Sequence, residues 1–103
     1  EIKIGFWKTD QRINEAVCTE IRGVPYKVIV RKIAGSTRRR NAWIEVQTGD
    51  SVQTFNLDTF QPPRIITEGL DIIIAGRSSR RLSEEKIRIC YHTDYRLEKR
   101  MCY

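Results

Sequence analysis

Apolar residues recur at every second position along this chain, in short runs. Val28 and Val30, then Ala42, Ile44 and Val46, then Ile87, Ile89 and Tyr91 each alternate with neighbours of the opposite face. That is the period of strands with one buried face, not of helices. The runs are rich in β-branched residues, and the connections between them carry Gly, Ser and Arg. Ile2, Ile4 and Phe6 alternate with Lys3, Gly5 and Trp7, which predicts an opening strand. The next segment predicts a short helix near residues 10–21. Thr9 or Asp10 would cap it, Ile13, Ala16, Val17 and Ile21 would line its apolar side, and Gly23 and Pro25 would end it. Val17 and Thr19 fit a strand as well.

From Val24 to Ile33 a strand puts Val24, Tyr26, Val28 and Val30 on one face and Lys27, Ile29 and Arg31 on the other. Residues 35–41 form a polar connection, and a further strand runs from Ala42 to Gln47. Thr48, Gly49, Asp50 and Ser51 signal a tight turn, because Gly supplies the positive φ that hairpins need. Val52 to Leu57 returns as the partner strand. Pro62 and Pro63 forbid regular pairing and divide the domain into two halves. Arg64 to Thr67 and Leu70 to Ala75 are further strands, the second apolar on both faces and so central. Residues 76–85 make a polar loop. Lys86 to His92 and Leu97 to Cys102 close the chain as a hairpin around Thr93 and Asp94. The expected architecture is all-β: one compact β-sandwich domain over residues 1–103 of about seven antiparallel strands, or a closed barrel.

Composition narrows the class. At 103 residues with 40% hydrophobic and 31% charged residues, the chain is one ordinary folded domain rather than a disordered one. No apolar run approaches the roughly 20 residues needed to span a bilayer. The chain opens at Glu1 rather than Met, the start expected of a processed mature form or of a domain cut from something longer. The net charge of +6 suits an acidic partner such as nucleic acid, anionic lipid or an acidic protein surface, and equally suits plain solubility. Three cysteines, Cys18, Cys90 and Cys102, permit at most one internal bridge. None has Cys-x-x-Cys spacing and there is a single His, so a zinc site lacks ligands. One bridge and a leftover thiol are expected of a secreted chain, three buried thiols of a cytosolic one.

Catalytic chemistry is poorly supplied. Cys90 and His92 share one strand face in the manner of a thiol–base pair, but the same pattern describes a solvated His beside a structural Cys. The carboxylates are scattered, and no phosphate-binding loop, nucleophile elbow or dinucleotide fingerprint is present, so neither an enzyme nor a cofactor is expected. The basic connections are sharper. Arg38, Arg39 and Arg40 lie in one, and Arg77, Arg80 and Arg81 in another, each with Ser or Thr neighbours. Guanidinium forks suit phosphate oxygens, and if both connections fall at one end of the sandwich they form a six-Arg patch. Single-stranded nucleic acid would further need stacking surfaces. Trp7, Trp43, Phe55 and Tyr91 are the candidates; Tyr91 keeps phase with the core, and Trp43 is the aromatic best placed for exposure.

Several collinear fragments resemble the ToxA family of secreted fungal effectors. They are Gly5-Phe6-Trp7, Val28-Ile29-Val30-Arg31 leading into Gly35-Ser36-Thr37-Arg38, Gly49-Asp50 in a turn, and Ile74-Ala75-Gly76-Arg77. The last is Cys90 followed by Asp94, Arg96, Glu98, Arg100 and Met101. The resemblance implies a fibronectin-like β-sandwich, secreted by a plant-pathogenic fungus, that acts without catalysis by binding host plant proteins, immune receptors among them. The family's Arg-Gly-Asp loop is matched here by Thr48-Gly49-Asp50-Ser51, which lacks the Arg. Cys90 matches the family's cysteine of the C-terminal half, but the usual partner near the N-terminus has no counterpart, leaving Cys18 or Cys102.

The sequence thus leads to a binding protein. The expected function is that of a secreted effector engaging a host protein through Arg38, Arg39, Arg40, Trp43, Thr48, Gly49, Asp50, Arg77, Arg80 and Arg81. Charge would set on-rate and partner choice, and an aromatic anchor the affinity. The alternative is an intracellular or viral nucleic-acid-binding domain that grips phosphates with the same arginines.

Overall fold

A computed structural model describes residues 5–35, 40–59, 61–74, 86–93 and 97–98. Nine strands run through them: β1 (Gly5–Arg12), β2 (Ala16–Ile21), β3 (Val24–Gly35), β4 (Arg40–Thr48), β5 (Ser51–Asp58), β6 (Arg64–Thr67), β7 (Leu70–Ile74), β8 (Lys86–Thr93) and β9 (Leu97–Glu98). They form a four-stranded antiparallel sheet of order β1-β8-β7-β6 and a five-stranded one of order β5-β4-β3-β2-β9. The two inner faces pack on each other. Leu70, Ile72, Ile74, Ile87, Ile89 and Tyr91 come from one sheet, and Val17, Ile21, Val28, Val30, Ala42, Ile44, Val46, Phe55 and Leu57 from the other. Each such side chain contributes about 1.5–3 kcal/mol on leaving water. The alternation read along the chain is therefore the core of an all-β sandwich.

Pro62 and Pro63 lie where the chain leaves β5 of one sheet for β6 of the other. The division they impose is incomplete, because β1 joins the sheet of the second half and β9 the sheet of the first. β7, apolar on both faces, is an interior strand between β8 and β6.

Two expectations are corrected. The helix near residues 10–21 does not form: β1 continues through Arg12, the chain turns at Ile13 and Asn14, and β2 follows. Asn14 takes a left-handed φ of 70°, which Asn tolerates better than most residues. Period two wins in β2 because Val17, Thr19 and Ile21 are all buried, whereas the helical grouping would have needed Ile13 and Ala16 inside as well. Arg22 and Gly23, at φ 50° and 78°, then make a two-residue turn with both φ values positive, the geometry that matches strand twist. Pro25 stands inside β3 opposite Glu20, below the point where β4 begins to pair at Lys27, so its missing N–H breaks no ladder. The closing hairpin is the second correction. β8 already has β1 and β7 on its two sides, so β9 pairs instead with β2, Glu98 opposite Cys18 and Leu97 opposite Thr19.

Candidate functional site

The residues singled out by the sequence fall at two ends of the sandwich. β4 starts at Arg40 and finishes at Thr48, so the Gly49–Asp50 tip stands roughly 27 Å from Arg40 at about 3.3 Å per residue. At the tip, Thr48 pairs with Ser51 across a two-residue turn, and Gly49 takes φ 54°. Positive φ at the first of two turn residues is the reason a Gly is needed there. Gly49 and Asp50 are exposed and Thr48 is half-buried.

At the far end β3 finishes at Gly35, opposite Arg40, the root of the first Arg-rich connection. Near the tip end, the β2–β3 turn meets the β6–β7 turn, Arg22 Nη1 donating to the Glu68 carbonyl at 3.0 Å. From those turns β3 runs twelve residues to Gly35 in one sheet and β7 five residues to Ile74 in the other. Arg38 and Arg39, and Arg77, Arg80 and Arg81, lie outside the described residues, as does Cys102.

Arg40 departs from the expected set. It belongs to β4 rather than to a loop, is only 4% exposed, and keeps phase with the core-facing Ala42, Ile44 and Val46. Thr59 clips its backbone: Arg40 N–H donates to Thr59 Oγ1 at 3.0 Å, and Thr59 returns bonds from its hydroxyl and N–H to the Arg40 carbonyl at 2.8 and 3.0 Å. Thr59 thus fixes the backbone at the start of β4, and the buried Arg40 side chain lies at the rim of the core rather than in an exposed loop. Burial of an inward-phased Arg at a strand start is not legible from a run of three arginines.

Trp43 is on the outer face of the five-stranded sheet and 42% exposed. Lys32 stands opposite it on β3 and Asn56 on β5. Asn56 Nδ2 donates to Asn41 Oδ1 at 3.1 Å, so aromatic, amide and cation share one patch close to the Arg40 end. Below it Arg31 donates to Glu45 Oε2 at 2.9 Å and to Asn14 Oδ1 at 3.0 Å. The Arg31 hydrogen bond, with a second from Gln47, holds the Glu45 carboxyl below the usual carboxylate range. Lys32 and Asn56 were missed because cross-strand register, here shifted by a bulge between Val30 and Lys32, is not written in local sequence.

Of the other aromatic candidates, Trp7 is exposed, whereas Phe55 and Tyr91 are buried and offer no stacking face. Arg64 instead sits over the Phe55 ring, 4.9 Å from its centroid. Cys90 is a free, buried thiol that burial keeps protonated by pushing its pKa up. Cys90 is thereby removed from the disulfide candidates, leaving Cys18 and Cys102 for any single internal bridge. His92 Nδ1 lies 3.9 Å from Asp71 Oδ2. Among the described residues no three His, Cys, Asp or Glu side chains cluster to hold a metal ion, and no helix is long and apolar enough to cross a membrane.

Comparison with protein-family models, with curated proteins and with solved structures returned no match.

Proposed function

We propose that this chain is a non-enzymatic secreted effector of the ToxA-like kind, which binds a host plant protein through its exposed basic loops. The observation that supports the reading is the exposed Trp43, set between Lys32 of β3 and Asn56 of β5 on the outer face of the five-stranded sheet. Arg38, Arg39, Arg77, Arg80 and Arg81 would steer an acidic surface toward the protein, and Trp43 would anchor it. A buried free thiol at Cys90 fits a secreted chain with one bridge, formed by Cys18 and Cys102. The rival reading, a nucleic-acid clamp, uses the same arginines with Trp43 as the stacking surface and Lys32 as a further phosphate ligand.

Two measurements separate them. Protein made in an oxidising compartment is denatured and alkylated without reduction, and its modified cysteines are located by mass spectrometry. The effector reading expects Cys90 alone to be modified. Anisotropy of labelled single-stranded and duplex DNA is then followed against salt. The effector reading expects no binding at physiological salt. Three alkylated cysteines, together with DNA binding that falls steeply with salt and vanishes when Arg38 and Arg39 become Ala, would overturn it in favour of the clamp.

A further inference from the structure

Among the described residues the long open edge of the five-stranded sheet is β5, which pairs there only with β4. Residues 51–57 of this strand contain no charge and no proline, the two devices that ordinarily blunt an exposed edge. Which backbone groups it offers follows from the hairpin. With Thr48 and Ser51 closing a two-residue turn, the hydrogen-bonded pairs with β4 are Thr48–Ser51, Val46–Gln53, Ile44–Phe55 and Ala42–Leu57. The intervening residues Val52, Thr54, Asn56 and Asp58 therefore aim N–H and C=O away from β4. Two observations agree with this parity. Thr59 N–H continues the β4 ladder by donating to the Arg40 carbonyl, and Asp58 N–H turns outward to Gln61 Oε1 at 3.0 Å. Gln61 N–H also reaches the Asp58 carbonyl at 3.1 Å, so the strand's end is capped from within the chain. Among the described residues Val52, Thr54 and Asn56 remain as an open ladder, with Val52 61% exposed.

Beside that ladder is a hollow of about 280 Å³ lined by Asn56, Leu57, Gln61, Pro62, Pro63 and Arg64. Its walls are the end of β5 and the proline segment that crosses to β6. Arg64, held over Phe55, is the one charged side chain among those lining residues. An open strand edge with a pocket next to it is the arrangement by which sheets take up extended peptides: main-chain bonds supply affinity, and the pocket selects a side chain.

We propose that β5 is a strand-addition site for an extended acidic segment of a partner protein, with Val52, Thr54 and Asn56 forming the new ladder and a carboxylate side chain meeting Arg64 in the hollow. Charge decides the occupant. Among the described residues lining the site the one charged side chain is cationic, and the chain carries a net +6, so an acidic strand is attracted, whereas a second copy brings another +6. The backbone ladder and Arg64 lie outside the Arg-rich connections, so this site is tested separately from the reading above.

The probe is an acetylated, amidated decapeptide of alternating valine and glutamate, titrated into isotope-labelled full chain and followed by amide chemical shifts. Controls replace every glutamate by lysine, or a central residue by proline. Shifts grouped at Val52, Thr54 and Asn56 are expected with the glutamate peptide and with neither control. Thr54→Pro removes an outward N–H without touching the β4 ladder, and is expected to weaken binding by about tenfold or more. Val52→Pro repeats the test if Thr54→Pro folds poorly. Arg64→Glu, which leaves the backbone alone, is expected to abolish the preference for glutamate over lysine peptide. No shift at these amides with millimolar peptide, undiminished binding to both proline variants, or equal binding of the lysine peptide by the unaltered chain would overturn the proposal. Dimerisation through β5 in the absence of peptide would also overturn it.

Discussion

The two sheets close the same core in different ways. The five-stranded sheet turns an almost wholly apolar face inward, Ala42, Ile44 and Val46 lying beside Val28 and Val30. The four-stranded sheet is apolar along β7 and β8, but its edge strand β1 offers Thr9 and a fully buried Gln11. Gln11 Oε1 accepts from the Tyr91 hydroxyl and from Thr9 Oγ1 at 3.1 Å, while Gln11 Nε2 donates to the Glu15 carbonyl at 3.3 Å. One face is held by shape and area, the other at its edge by polar groups that satisfy one another. The lesson is that a strand with little to bury can still join a core, provided its buried polar atoms are all spoken for.

Truncation in the apolar sheet should produce the largest effect. Ile44→Ala leaves a cavity under a fully buried side chain and is expected to cost about 2–5 kcal/mol, read from denaturant unfolding. Less than 1 kcal/mol would show that the five-stranded face can collapse around the loss.

Next comes the polar corner. Tyr91→Phe strips the hydroxyl from Gln11 and should cost about 1–3 kcal/mol at neutral pH, with Gln11→Leu coupled to it in a double-mutant cycle. Strict additivity would mean that the two side chains do not act as a unit. The same residue predicts an alkaline limit. Burial raises the Tyr91 pKa above its usual value near 10, so the native state keeps a proton that the unfolded chain gives up. The contribution is complete below about pH 10 and lost as pH rises, at up to about 1.4 kcal/mol per pH unit. Tyr91→Phe should flatten that slope, and an unchanged slope would assign it to other groups.

The smallest effects lie on the outer faces. Arg88 grips Asp10 through Nε at 2.9 Å and Nη2 at 3.3 Å, and that bond raises the guanidinium pKa further. Both side chains are partly exposed and solvent screens the pair, so Asp10→Asn should barely move the denaturant midpoint, and a large shift would show that the pair matters more than its exposure implies. Glu45 supplies the acid counterpart. Its lowered pKa adds stability above the unfolded value of about 4.5, which is lost as pH falls through the folded value. Glu45→Gln should therefore soften acid unfolding, checked by midpoints between neutral pH and pH of about 3.

Legibility followed locality. The β4–β5 hairpin was readable because alternation and Gly49 agree, and β6 because Pro62 and Pro63 mark its start. Residues 10–21 misled because Ile13, Ala16, Val17 and Ile21 satisfy a helical period, while the pairing that overrides it comes from β3. Exposure of Trp43 was legible from its phase, but Arg40 was not, since a run of arginines looks like a loop until its first neighbour in space, Thr59, is known.

By itself the sequence determined the all-β class, the core-facing rows from Val28 to Tyr91, and the turn at Gly49, because strand period and turn chemistry are short-range properties. Only the tertiary structure decided which strands pair, that β1 and β9 change sides, that Arg40 is drawn inward and that β5 is, among the described residues, an open edge. Those outcomes depend on which edges remain free once the interior strands have paired, a competition among segments far apart in the chain.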